Sequence, residues 1–116
     1  MNGRCEVDCP ARELLDRLGD KWTMVAVTAL SAGPKRSGEL RRALQGVSQK
    51  VLTELLRSLE RDGLLSRHVL APFQVEYRLT PCGVSLATLL DQLRAWAQTH
   101  FKDVGARRAA YDARRR

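Results

Sequence analysis

The stretch SQKVLTELLRSLERDGLL, residues 48–65, limits the possible folds more than any other part of the chain. Val51, Leu52, Leu55, Leu56 and Leu59 recur at three- and four-residue spacing, the mark of an amphipathic helix with one buried stripe. Ser48 is placed to cap its start. Asp62 and Gly63 end it, with the glycine suited to a left-handed residue just past the last turn. The opposite face holds Gln49, Lys50, Thr53 and Arg57 and no apolar side chain. A helix built this way needs neighbours on its leucine side and leaves a polar ridge for another purpose.

The neighbours are legible on either side. Cys9 and Pro10 precede a short helical pattern with Leu14, Leu15 and Leu18 on one face and Gly19 at its end; Pro10 suits the first helical position and Cys9 the cap. A second helix is predicted from about Trp22 to Leu30, with Trp22, Val25, Ala26, Ala29 and Leu30 inward, stopped by Gly33-Pro34. Ser37 can cap a third, with Leu40, Ala43 and Leu44 inward and Arg41 and Arg42 outward. Gln45, Gly46 and Val47 make a tight turn into the helix of 48–62. Two strands, 64–70 and 75–80, flank a turn at Ala71-Pro72-Phe73. Pro81 opens a last helix carrying Leu86, Leu89, Leu90, Leu93, Trp96, Ala97 and Phe101. Two helices joined by a tight turn and followed by a two-stranded ribbon form a winged helix-turn-helix, mainly α with a small β-hairpin. Residues 1–104 read as this one domain, its last helix at about 81–104, and 105–116 as a basic, flexible tail.

Charge bears on the partner. The formal net charge is +7 and the excess is uneven: residues 35–67 carry 8 basic and 4 acidic groups, and residues 102–116 carry 6 and 2. A basic block centred on the helix-turn-helix favours an anionic partner, double-stranded DNA above all. No apolar run approaches the roughly 20 residues of a membrane span, so no membrane association is expected. Met1–Pro10 lacks the apolar core of an export signal, and the expected location is the cytoplasm. Three cysteines is an odd count for a secreted disulfide framework. No nucleophile–base constellation or phosphate loop is present, and a thiol enzyme using Cys5 and Cys9 lacks the C-x-x-C spacing. The chain therefore reads as a non-enzyme, without cofactor. The scattered Cys and His residues predict no metal site.

C-P at 9–10, LGDKW at 18–22, GPKRSGELRRAL at 33–44, GVSQKVLTELLRSLERDGLL at 46–65 and VEYRLTPCG at 75–83 together resemble the HxlR-type winged helix transcriptional regulators of bacteria, relatives of the MarR type. The resemblance spans roughly Cys9 to Phe101. It implies a homodimer bound to an inverted-repeat operator, usually as a repressor, with the helix of 48–62 in the major groove and the hairpin on the flanking backbone. It also implies a dimer built from the N-terminal segment and the last helix, here Leu86, Leu89, Leu90, Leu93, Trp96, Ala97 and Phe101. Several members sense oxidants or electrophiles through a cysteine just before the first helix, a position Cys9 matches. Where members often carry R-F-S-E-L, this chain has R-S-G-E-L at 36–40. Cys5, Cys82 and the basic tail are not family hallmarks.

Residue chemistry gives these expectations detail. Gln pairs with adenine, Arg and Lys with guanine, and the Thr methyl meets a thymine methyl in the major groove. Ser48, Gln49, Lys50 and Thr53, at the helix start, are the candidate base readers. Lys35, Arg36, Ser37, Arg41, Arg42, Arg57, Arg67 and Arg78 are candidate phosphate contacts, which fix register without reading sequence. For the exposed face of helix 48–62 the alternative is an ordinary solvated surface; Ser37 is better read as a helix cap than as a phosphate donor, and His68 is divided between wing contact and solvent. Cys9 at a helix N-terminus gains thiolate character from the helix dipole, while Glu6, Asp8 and Glu13 oppose it. It is a candidate thiol sensor or a buried structural cysteine. On oxidation its possible partners are Cys5, four residues away, or Cys82 across subunits. A small-molecule or electrophile effector remains open, as does a winged helix serving only protein contact.

Overall fold

The computed structural model describes residues 20–115, together with Pro10, Ala11, Glu13 and Asp16, which are helical. Cys5, Cys9 and the leucines of the predicted first helix lie outside the described residues. Four helices and three strands follow in the order α1 (Lys21–Ser31), β1 (Lys35–Arg36), α2 (Ser37–Ala43), α3 (Gln49–Arg61), β2 (Leu65–Ala71), β3 (Gln74–Leu79) and α4 (Pro81–Arg114). The strands form one antiparallel sheet in the order β1-β3-β2.

α3 follows its sequence pattern closely. Ser48 Oγ accepts the Val51 N–H at 3.1 Å, capping the helix. At the other end Gly63 has φ +76°, its N–H donates to the Glu60 carbonyl at 3.0 Å, and the Leu64 N–H reaches back to the Leu59 carbonyl at 3.0 Å. This is the paired bonding of a Schellman motif, and it turns the chain directly into β2. Leu52, Leu55, Leu56 and Leu59 are buried; Val51, expected among them, lies at the edge of the stripe and is 41% exposed.

Those leucines meet Ala26 and Leu30 of α1, Leu40 and Leu44 on and after α2, Val47 and Leu65 in the larger core cluster. A smaller cluster joins Val27 to Leu86, Ala87 and Leu90 of α4, and Leu64 and Leu79 touch both. α1 is thus wedged between the helix-turn-helix and the last helix. Its start is capped by Asp20, whose Oδ1 accepts the Trp22 N–H at 2.9 Å. Its inward residues are Thr23, Ala26, Val27 and Leu30, whereas Val25, expected inward, is exposed. The segment Trp22–Leu30 is apolar on nearly every side, so periodicity cannot choose the face; packing against two clusters does. Ala43 is likewise exposed, leaving Leu40 and Leu44 as the buried residues of their helix-turn segment.

Most boundaries fall within a residue of the sequence expectation, the hairpin strands running 65–71 and 74–79, but the start of α2 and the end of α4 change the reading. Ser37 is the first residue of α2 and Arg36 takes the cap position, its N–H donating to Glu39 Oε1 at 3.0 Å. Lys35 and Arg36 also pair with Tyr77 and Glu76, adding a third strand to the expected hairpin. The last helix does not stop near residue 104 but continues to Arg114, so residues 105–114, expected as a flexible tail, are helical. Alanines and arginines are strong helix formers, and Arg107 Nε meets Asp103 Oδ2 at 3.0 Å one turn away. A helix of 34 residues is about 51 Å long.

The start of α4 is tied to the end of α3. Thr80 Oγ1 accepts the Gly83 N–H at 3.1 Å and donates to the Gly63 carbonyl, while the Thr80 N–H donates to the Leu64 carbonyl at 3.1 Å. Leu86 and Leu90, expected at a dimer interface, are instead buried inside this chain against Val27. Leu89, Leu93, Trp96 and Phe101 remain about half exposed along the same helix.

Candidate nucleic-acid interface

α3 presents Gln49, Lys50 and Arg57 to solvent, with Thr53 half-buried between them. Gln49 Nε2 donates to Thr53 Oγ1 at 3.2 Å across one turn, which orients the amide along the ridge. Ser48 uses its oxygen as the cap and keeps its hydroxyl hydrogen for an outside acceptor.

α2 and the β2–β3 hairpin stand on either side of this ridge. One groove is lined by Arg36, Ser37 and Arg42, by Gln49 and Thr53, and on its far wall by Phe73, Gln74, Val75 and Tyr77. A neighbouring depression gathers Thr53, Arg57, Glu60, Arg67 and Tyr77. The pairing register explains the second group. Arg67 lies opposite Tyr77, so both point to the α3 side of the sheet. Candidate base readers and candidate phosphate contacts from three separate elements are therefore brought to one surface.

Other expected residues are placed differently. Lys50 and Arg41 are exposed but line neither groove. Lys35 is half-buried on β1 opposite Tyr77. Arg78 belongs to the other face of the ribbon, where its Nε pairs with Glu76 Oε1 at 2.8 Å. His68 shares that outer face by alternation, its Nε2 2.8 Å from Ser66 Oγ. Strand alternation was the signal that could have separated Arg67 from Arg78. Phe73, Gln74 and Tyr77 were not singled out from the sequence, although an aromatic residue in a Pro-containing turn is a visible oddity.

The electrostatics of the surface are one-sided. Among the described residues, the ion pairs Arg78–Glu76, Arg94–Asp91 and Arg107–Asp103 do not include Arg36, Arg42, Arg57 or Arg67. Glu39 and Glu60 are the carboxylates on the groove walls, and Glu39 is engaged with the Arg36 backbone. Among the described residues no cluster of His, Cys, Asp and Glu is placed to hold a metal ion. No helix there is long and apolar enough to cross a membrane.

A cationic groove across a helix-turn-helix and its wing is a DNA-regulator arrangement, and known proteins decide the family. Residues 17–104 match the HxlR-like helix-turn-helix family. The chain belongs to this family. Among its relatives, the HTH-type transcriptional regulator YtcD of Bacillus subtilis is 42% identical over 92 residues, covering 78% of this chain and 73% of that protein. A solved structure of the transcriptional regulator ytfH from Salmonella typhimurium superposes with a TM-score of 0.74 at 36% identity, covering 90% of this chain and 95% of that one. The reduced form of the transcriptional regulator YodB from B. subtilis gives 0.70 at 35% identity, covering 77% and 90%; a quinone-bound YodB structure gives 0.70 at 35%, covering 78% and 98%. The chain is an HxlR-type transcriptional regulator with a winged helix-turn-helix fold.

Proposed function

We propose that this regulator acts as a homodimeric repressor on an inverted-repeat operator, with α3 reading bases in the major groove. Gln49, Lys50, Thr53 and the Ser48 hydroxyl face the bases; Arg36, Ser37, Arg41, Arg42, Arg57 and Arg67 hold phosphates. Lys35 is a peripheral phosphate contact, and Arg78 joins only on exchanging its Glu76 partner. The single observation that carries this reading is the shared groove, lined by Gln49 and Thr53 together with Arg36, Arg42 and the wing. Leu89, Leu93, Trp96 and Phe101, half exposed on α4 beside its buried residues and further along the helix, supply the dimer seam. Dimerisation also gives a repeated site its two-fold symmetry. The protein works in the cytoplasm, where the operator is.

Thiol control is the finer part of the proposal. Cys9 is the sensor, with Cys5 or the partner subunit's exposed Cys82 as the resolving thiol. The quinone-bound form of YodB supports an electrophile as effector. The test is selection of binding sites from random duplex DNA with reduced protein, repeated after mild oxidation and with Cys9→Ser. The expected result is a palindromic site that is lost or altered on oxidation in the native protein and kept in the variant. A palindromic site indifferent to oxidation removes the sensor and leaves the regulator. Sequence-blind binding removes the regulator reading.

A further inference from the structure

The wing ends in an aromatic side chain that the chain itself does not use. Phe73 is fully exposed, at 104% of its reference area, and its backbone has φ +67°. It follows Pro72 in the two-residue turn between β2 and β3. Proline then a residue of positive φ is the order of a type II turn, whose second position normally takes glycine or asparagine. A bulky side chain there is an outlier, held in a disfavoured backbone region with no packing gain to offset it.

The tip around it is apolar. Val69 and Leu70 are also exposed, and between Arg67 and Arg78 the hairpin contains no Lys or Arg. A tip that grips phosphates is built of cations; this one is not. Yet Phe73 lines the same groove as Arg36, Arg42, Gln49 and Thr53. A duplex drawn to those cations with α3 in its major groove brings the neighbouring minor groove to the tip. Minor-groove proteins use such apolar residues as wedges that unstack a base step and kink the helix.

We propose that Phe73 is a minor-groove wedge, which partly unstacks one base step beside each half-site and bends the operator. The proposal rests on the DNA-binding reading above. It makes the wing a reader of deformability: flexible pyrimidine–purine steps, TA or CA, are favoured at the wedge position although no base there is hydrogen-bonded.

The probe is the operator duplex selected by the reduced native protein, with 2-aminopurine placed at each flanking step and a donor–acceptor dye pair at its ends. Phe73→Asn removes the ring while suiting the left-handed backbone, so the hairpin keeps its shape. Phe73→Leu keeps an apolar wedge. The native protein is expected to raise 2-aminopurine fluorescence at one step per half-site and to bend the duplex by about 20° or more. Phe73→Asn loses both signals and binds about tenfold more weakly, from the lost ring burial net of the unstacking cost, with its selected bases opposite α3 unchanged. Phe73→Leu restores most of the bend. A Phe73→Asn protein with native affinity, bend and fluorescence overturns the wedge and leaves the tip to a protein partner. A native protein that selects a site without unstacking any step refutes the wedge alone; one that selects no site refutes the DNA-binding reading, and the wedge falls with it.

Discussion

Replacing Gly83 by alanine should loosen the joint between the recognition helix and the long last helix. Gly83 is buried in the first turn of α4. A Cβ built there would sit 2.0 Å from the Leu64 carbonyl oxygen, 3.1 Å from the Leu64 carbonyl carbon and 3.0 Å from Leu79 Cδ2. Ordinary contact begins near 3.4 Å, so the deficit against the oxygen is 3.4 − 2.0 = 1.4 Å. The obstacle is backbone and cannot rotate away. It is also the carbonyl that accepts the Thr80 N–H, in a segment braced by the Schellman turn of α3. Relief requires α4 to back off, which strains the Thr80 bonds and separates Leu86 and Leu90 from Val27.

Overpacking of this kind costs about 1–3 kcal/mol, and a contact this short belongs at the top of that range. Alanine recovers about 1 kcal/mol through helix propensity. The net loss is about 2 kcal/mol, or roughly 8 °C in Tm for a domain of this size. The assay is a thermal melt followed by circular dichroism at fixed protein concentration, because association shifts Tm by mass action. Gly105→Ala is the control: that glycine is helical with nothing within 4 Å of its added Cβ, so it should raise stability by about 0.5–1 kcal/mol. A Gly83→Ala protein that melts at or above the native temperature would refute the steric reasoning.

The other predictions concern the cap, the division of the last helix and the phosphate contacts. Ser48→Ala removes the acceptor for the Val51 N–H and should cost about 1 kcal/mol in urea unfolding; an unchanged midpoint counts against the cap. Leu90→Ala, in the core, should lose about 2–5 kcal/mol. Trp96→Ala, about half exposed, should keep a folded chain and shift sedimentation from dimer toward monomer; the reverse pattern would invert the assignment of the two faces. Arg42→Ala should weaken all duplex sequences alike and flatten the slope of log K against log salt by about 1, and a sequence-dependent loss would make Arg42 a base reader.

How far the fold could be read in advance depended on how local its causes are. The cap at Ser48, the stripe of α3 and the stop at Gly63 come from interactions within a few residues, so their pattern is visible in SQKVLTELLRSLERDGLL. Spacing does not reveal the buried face of α1, where Val25 is exposed, because nearly all its sides are apolar and the choice belongs to the packing. β1 was not legible at all: two basic residues have no strand pattern, and their pairing to Tyr77 and Glu76 spans some forty residues of chain. Leu86 and Leu90 could not be told from Leu89 and Leu93 by spacing, since one continuous stripe serves two surfaces. The candidate site was legible on α2 and α3, where the cations lie close in sequence. It was less so on the wing, where strand alternation sends Arg67 toward α3 and Arg78 away.

The central claim is that the polar ridge of α3 reads base sequence, and one comparison tests it directly. Binding sites would be selected from random duplex DNA at fixed salt with the native protein, with Lys50→Ala, with Thr53→Ala and with Arg41→Ala. The native protein should select two half-sites about one helical turn apart, roughly 34 Å. Lys50→Ala and Thr53→Ala should change which bases are preferred within each half-site, and Arg41→Ala should leave the preference intact while lowering affinity for every sequence. If the Lys50 and Thr53 variants select the same site as the native protein, the ridge carries charge without a code and the assignment of α3 as the reading helix is contradicted.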